Sequence, residues 1–298
     1  MRKNIFYKQE RRSFWLFCTP ALVIYFVFWM IPILITIPFS LIKWNGIGSW
    51  MDAEFVGLKN YMTLFRDKAF WQCLSHNFQY MIGTVVCIPL FAFLLALFIE
   101  KFMKRKGFFR TSLFIPIVLP GMLVTLMFKQ IYNVEYGLLN GFLRGVGLSS
   151  LATDWLGNKA TALWAVIMIP IWKSTPFTMI ILLAGLQGVS REIEEAAVID
   201  GCSFWKTVWY VTIPQIASVL IVAIGLVIID AFRVFDVIFM TTNGGPGIRT
   251  TDVLGTYIYK AGFTNMRLGY ASALSLVNIL IVIVISAIYL FFSRRAEN

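Results

Sequence analysis

Four stretches of the chain, residues 14–42, 78–99, 111–128 and 268–293, contain no Asp, Glu, Lys or Arg. A helix needs about 20 mostly apolar residues to cross the hydrocarbon core of a bilayer, so each stretch predicts a transmembrane helix. Two further stretches have the length and apolarity but carry charge. Residues 160–187 include Lys173, and residues 216–240 include Asp230, Arg233 and Asp236. The pattern predicts an all-α, polytopic membrane bundle of six transmembrane helices, with Pro20, Pro32, Pro38 and Pro89 marking kinks or ends. Neither a repeat of fixed period nor a long Gly/Ser-rich or Pro-rich linker divides it, so one membrane domain is expected over residues 1–298.

Composition agrees with a lipid-embedded chain. Hydrophobic residues make up 59% and charged residues 14%, against about 25% charged in an ordinary soluble domain. The mean hydropathy is +0.76. The net charge of +11 does not indicate nucleic acid, because the basic residues fall in short clusters between apolar spans rather than on one face. Those clusters orient the chain. Arg2, Lys3, Lys8, Arg11 and Arg12 precede the first stretch, which is too long for a signal peptide and lacks a small-residue cleavage site. An uncleaved first helix is therefore expected. With both termini inside, the cytoplasmic segments carry fourteen Lys and Arg against ten outside, and five of the fourteen crowd into residues 100–110.

Of the four cysteines, Cys73 is expected outside and Cys202 inside, while Cys18 and Cys87 sit in apolar runs. Their spacing forms no CxxC pair and no metal-ligand pattern, so they read as packing residues. His76 is the sole histidine, which leaves a His-based metal cluster or a Ser-His-Asp triad without partners. It reads as a polar residue at a membrane boundary.

The loop at 188–215 holds the densest local signals. Ser190 can cap a helix whose first turns carry Glu192, Glu194 and Glu195, where the helix dipole favours negative charge. Asp200-Gly201 is a stop and turn signal. Ser203 can cap a second short helix, expected to run from Phe204 to Tyr210 until Pro214 breaks it. Two short helices around a bend make a protruding knob.

Glu195-Ala196-Ala197, then Gly201 after three residues, then Val211-Thr212-Ile213-Pro214 after nine more, resemble the EAA motif of ABC importer permeases. Val211 and Ile213 stand where Ile and Leu are usual. The resemblance extends along residues 14–292 through Phe55-Val-Gly-Leu-Lys-Asn-Tyr61, Phe109-Arg-Thr-Ser-Leu-Phe-Ile-Pro116, Tyr136-Gly-Leu-Leu-Asn140, Phe235-Asp236, Thr242-Asn-Gly-Gly-Pro246 and Gly269-Tyr-Ala-Ser-Ala273. These are similar to the carbohydrate-uptake branch, in its maltose-type first permease. The extra N-terminal helices and large external domain of the maltose permease itself have no counterpart here.

The resemblance implies a transmembrane permease in the cell (inner) membrane that forms half of a solute pathway. It implies a second permease subunit, two ATP-binding subunits and an extracytoplasmic solute-binding protein as partners, with membrane lipid around them. ATP and Mg2+ would reside on the ATPase, with no cofactor on this chain. Glu195, Ala196, Ala197, Asp200, Gly201 and Pro214 would then form the coupling helices that dock on the ATPase. The residues agree on the division of labour, because no GxxxxGK phosphate loop followed by Ser or Thr is present.

Charges in the fifth stretch need a reason, since an Asp or Arg at the bilayer centre costs about 2.5 to 3.5 kcal/mol. On a continuous helix Asp230, Arg233 and Asp236 fall on one stripe about 120° wide. With Phe232, Phe235 and Lys173 they are candidates for the substrate pathway, where charged groups bind sugar hydroxyls and rings stack on a sugar face. A structural ion-pair ladder is the equally weighted alternative. A proton- or ion-coupled secondary transporter would use the same charges as a relay. A membrane enzyme would need a catalytic set that the spans do not assemble.

Overall fold

A computed structural model describes residues 2–297 and the side chains of residues 14–293. The side chains of Arg2, Lys3, Lys8, Arg11 and Arg12 lie outside the described residues. Two compact units are present: the chain up to Arg66 together with Ile258–Ile279, and Asp67–Tyr257 together with the chain from Leu280 onward.

The smaller unit begins with helix α1 (Arg2–Tyr25), a π turn over Phe26–Met30 and helix α2 (Ile31–Ser40). The π turn bonds the Ile31 N–H to the Phe26 carbonyl, five residues back. Pro32 follows at once. Its missing N–H and its ring would both offend a regular turn, and the widened turn just before it accommodates the ring, so the helix runs on to Ser40. Strand β1 (Ile42–Lys43) pairs antiparallel with β2 (Glu54–Phe55), and helix α3 (Lys59–Arg66) follows. The Asn60 amide donates to the Ser40 carbonyl at 2.8 Å and to that of Ile42 at 3.0 Å, which satisfies backbone acceptors at and beyond the end of α2.

The larger unit opens on α4 (Lys68–Phe102), capped by Asp67 accepting from the Ala69 N–H at 2.9 Å. Thirty-five residues at 1.5 Å per residue reach about 52 Å, well beyond the hydrocarbon core. The expected helix at 111–128 is in fact two, α5 (Lys106–Val118) and α6 (Gly121–Ile131), meeting at 92°. Pro120 lacks an N–H and holds Leu119 in an extended conformation (ψ 132°), so the α-helix cannot continue through the pair. Next come α7 (Leu138–Gly145), α8 (Ala162–Gln187), α9 (Arg191–Ile199) and α10 (Phe204–Thr207).

A second π turn, Val208–Thr212, leads into α11 (Ile213–Gln215). The expected stop at Pro214 is therefore corrected: the π turn bonds the Ile213 N–H to the Val208 carbonyl and carries the helix through Pro214. The break falls at Ile216, with a 76° bend into α12 (Ala217–Phe232). Helix α12 ends at Phe232, and α13 (Asp236–Thr241) starts anew after a non-helical link. Helix α14 (Leu254–Tyr259), a third π turn over Lys260–Thr264 and α15 (Leu268–Glu297) complete the chain.

Among the described residues four segments, Phe14–Ser40, Lys68–Phe102, Ala162–Gln187 and Leu268–Ser293, are long and apolar enough to cross a membrane unbroken, and the count reaches the expected six only if each of the two bent pairs is one span. In lipid the hydrophobic effect does not drive helices together, so close packing must. Along α4, Gly83, Ala92 and Ala96 are buried. A Cβ on Gly83 would lie 3.0 Å from Ile167 Cγ2 of α8. Further along, Ala92, Ala96 and Leu97 cluster with Met179, Leu182 and Leu183 of α8 and Ala223 of α12. Another cluster joins Tyr80, Val166, Ile167, Val227 and Ile238.

Candidate functional site

The loop between α8 and α12 folds into the expected knob. Ser190 takes the extended conformation of an N-cap without a capping bond from its hydroxyl, and Glu192 and Glu194 occupy the first turn of α9. At the other end the Gly201 N–H bonds the Val198 carbonyl at 3.0 Å and the Cys202 N–H bonds that of Ala197 at 2.9 Å. Gly201 itself has φ +82°. This crossed pair of bonds closes the helix through a left-handed residue, a conformation that costs any L-residue with a side chain. Asp200, the C-cap, and Glu195, Ala196 and Val198 are exposed, whereas Ala197 is buried.

The knob is tied to the membrane helices by groups that carry no motif. Glu194 forms an ion pair with Lys101 at the end of α4 and accepts the Thr212 hydroxyl at 3.1 Å. Glu100 beside it pairs with Lys106 of α5. Two neighbouring α4 residues thus hold the start of α5 and the whole knob. Around this clasp the surface is apolar and open: Ile199 is 85% exposed and Tyr210 79% exposed, with Trp205 and Trp209 also exposed. A groove of about 720 Å3 runs between α9 and α10, lined by Lys101, Arg191, Glu195, Val198, Cys202 and Phe204. Exposed apolar residues rimmed by charge mark a surface that meets protein or membrane.

Of the six candidate pathway residues, Asp230 and Arg233 are neighbours, the Arg233 N–H bonding the Asp230 carbonyl at 3.1 Å, and Asp230 alone lines the cavity described below. Because α12 stops at Phe232, the expected stripe of Asp230, Arg233 and Asp236 does not exist as one helical face: Asp230 is on α12, Arg233 caps its end and Asp236 opens α13. Asp230 lines a cavity of about 160 Å3 with Tyr80, Thr84, Ser174, Phe177 and Thr178. Phe232 is buried, edge-on to Phe78 at 5.6 Å. Phe235 stacks on Phe239 at 5.1 Å. The Lys173 ammonium lies beside Gly121 at the start of α6. Sequence reasoning missed Tyr80, Thr84, Ser174 and Thr178. Their signal is a polar pair at i, i+4 on each of α4 and α8, the spacing that puts both members on one face. Thr84 donates to the Tyr80 carbonyl at 2.9 Å, which leaves its oxygen as an acceptor.

Residues 11–298 match the family described as binding-protein-dependent transport system inner membrane component. Among relatives, the probable ABC transporter permease protein YurN of Bacillus subtilis is 36% identical over 286 residues, covering 95% of this chain and 97% of that one. The trehalose/maltose transport system permease protein MalF of Thermococcus litoralis is 32% identical over 288 residues, covering 96% and 95%. A chain of a bacterial alginate ABC transporter, solved with an alginate pentasaccharide-bound periplasmic protein, shares the fold, with a TM-score of 0.83 at 21% identity and 98% coverage of both chains. The match across nearly the whole length places this chain in the family of binding-protein-dependent inner membrane components, the non-catalytic permeases of ABC transporters.

Proposed function

We propose that the chain forms half of the solute pathway of an ATP-driven sugar importer and receives the motion of a separate ATPase through its knob. The observation that carries this reading is the knob itself: a Glu-Ala-Ala helix closed at Gly201, presenting exposed Ile199, Trp209 and Tyr210 while Glu194 clasps Lys101 of α4. Such a unit transmits a push as a rigid body. The partners are a second permease, two ATP-binding subunits holding ATP and Mg2+, and an external solute-binding protein. Residues 1–298 act as one membrane domain with both termini in the cytoplasm. Glu195, Ala196, Ala197, Asp200, Gly201 and Pro214 belong to the docking unit.

Sugar as the solute is supported by the names of relatives, which include a trehalose/maltose permease and a multiple sugar-binding transport system permease from Streptococcus mutans. The cavity at Asp230 offers a carboxylate, a phenol and three hydroxyls, a set suited to sugar hydroxyls. Arg233, Asp236, Phe235 and Lys173 border the pathway on this reading, and Phe232 braces α12 behind it. The test is reconstitution with a partner permease, an ATPase and a solute-binding protein from the same organism. Solute uptake should require ATP and the liganded binding protein. Uptake by this chain alone, without ATP, would instead establish a secondary transporter.

A further inference from the structure

Helix α3 takes no part in the knob or in the Asp230 cavity, yet its residues divide among three surroundings. Asn60 donates to the carbonyls of Ser40 and Ile42, the Tyr61 and Ser40 hydroxyls meet at 2.7 Å, and Leu64 is fully buried. This face pins α3 to the end of α2. Lys59 and Thr63 border a polar cleft of about 640 Å3. Leu58, Met62 and Phe65 cover the remaining side, each more than half exposed. The Met62 N–H bonds the Leu58 carbonyl at 3.0 Å, so Leu58 belongs to the first turn. The i, i+4, i+7 spacing sets the three in one apolar stripe. Lys59 and Arg66 fall beside it, about 80° to 100° round the axis from Leu58.

The anchor sets the depth of this helix. Segment Phe14–Ser40 has 27 residues, about 40 Å of helix against a hydrocarbon core of about 30 Å. Its end at Ser40 therefore emerges among the headgroups, and α3, hydrogen-bonded to that end, lies there too. Water would leave the stripe unburied. A protein partner would have to cover Lys59 and Arg66 with it, and charged residues are depleted from the cores of protein interfaces. Among the described residues neither cation is ion-paired, and α3 contains no Asp or Glu. Lipid suits both features, since acyl chains take an apolar stripe and phosphates take the cations along its edge. We infer that α3 is an interfacial anchor in the leaflet where the first span ends, with Leu58, Met62 and Phe65 against acyl chains and Lys59 and Arg66 on lipid phosphates. The inference needs only that Phe14–Ser40 crosses the bilayer, so it stands apart from the identity of the solute and from the ATPase.

The experiment uses the complete transporter in vesicles of phosphatidylethanolamine and phosphatidylglycerol, with the native cysteines replaced by alanine. A nitroxide is attached at Met62→Cys and, as a control on the polar face, at Thr63→Cys. Its collisions with oxygen, which concentrates in lipid, and with a water-soluble nickel chelate are read by electron paramagnetic resonance. Oxygen collisions should dominate at Met62→Cys and nickel collisions at Thr63→Cys. Dominant nickel collisions at Met62→Cys would place the stripe in water, and weak collisions with both would mean that another protein surface covers it; either result overturns the proposal. Phe65→Cys, on the same stripe, replaces Met62→Cys if that chain fails to assemble. Adding Lys59→Glu and Arg66→Glu should lower the oxygen-to-nickel ratio at Met62→Cys by about two- to threefold, and by less when phosphatidylcholine replaces phosphatidylglycerol. A ratio unmoved by the charge reversal removes the phosphates from the proposal. Failure of the importer reading would leave all of these collisions as they are.

Discussion

Lys101, in the last turn of α4, is ion-paired to Glu194, in the first turn of α9. A half-buried pair of this kind is worth more than a surface one because both side chains are already fixed, Glu194 also by the Thr212 hydroxyl. Glu194→Ala is expected to loosen the knob by about 1 kcal/mol. Hydrogen exchange of the peptide amides in 191–212 should rise in the variant, and more ATP should be consumed per solute carried. A double-mutant cycle with Lys101→Met should show coupling between the two positions. Additive effects would dissolve the clasp.

Gly201 separates strain from bulk. No described residue lies within 4 Å of a Cβ built there, so Gly201→Ala suffers only the left-handed backbone, roughly 1 to 2 kcal/mol. Gly201→Trp carries the same strain and adds an indole to the exposed face. Both variants should therefore melt alike, with binding-protein-stimulated ATP hydrolysis falling much further in the Trp variant. Equal activity in the two would remove this turn from the docking surface.

Packing of α4 on α8 leaves no room at Gly83, where Ile167 Cγ2 already stands at the closest tolerable distance. Gly83→Val should cost about 1 to 3 kcal/mol by overpacking. The double variant with Ile167→Ala should recover part of that loss. Thermal denaturation in detergent, followed by the fluorescence of Trp164 and Trp172, measures both.

The inside–outside assignment is tested with substituted cysteines, because the native Cys73 is fully buried and cannot report. Ile248 and Ile199 are each 85% exposed and lie on opposite sides under the proposed orientation. A membrane-impermeant maleimide should label Ile248→Cys in intact spheroplasts and Ile199→Cys only after lysis, in a background with the native cysteines changed to serine. The reverse pattern would invert the chain.

The spans were legible because uncharged length is a strong signal, and the knob because Ser190, Asp200-Gly201 and Ser203 punctuate it with local backbone chemistry. The breaks were less so. Pro116 and Pro120 both fall in an apolar run, yet Pro116 sits inside α5 while the chain turns at Pro120, where Leu119 is held extended and Gly121 follows. The end of α12 at Phe232 was hidden by an apolar pattern that continues to Met240, and the assumed helical stripe of charges fell with it. Tyr80, Thr84, Ser174 and Thr178 escaped notice because uncharged polar residues are common in membrane helices and draw attention only once two helices place them in one cavity.

The π turn at Val208–Thr212 is, in length, an α-helix with one residue inserted. Deleting a single residue there would close the widened turn, and the Pro214 ring would then meet the backbone of a regular turn, so the helix would kink or break before Ile216. The Thr212 hydroxyl would swing away from Glu194, and the lever between knob and α12 would lose its angular setting while every span stayed apolar. A length change of one residue should thus uncouple the machine without unfolding it, which makes chain register in this short segment a heritable setting of the transmission.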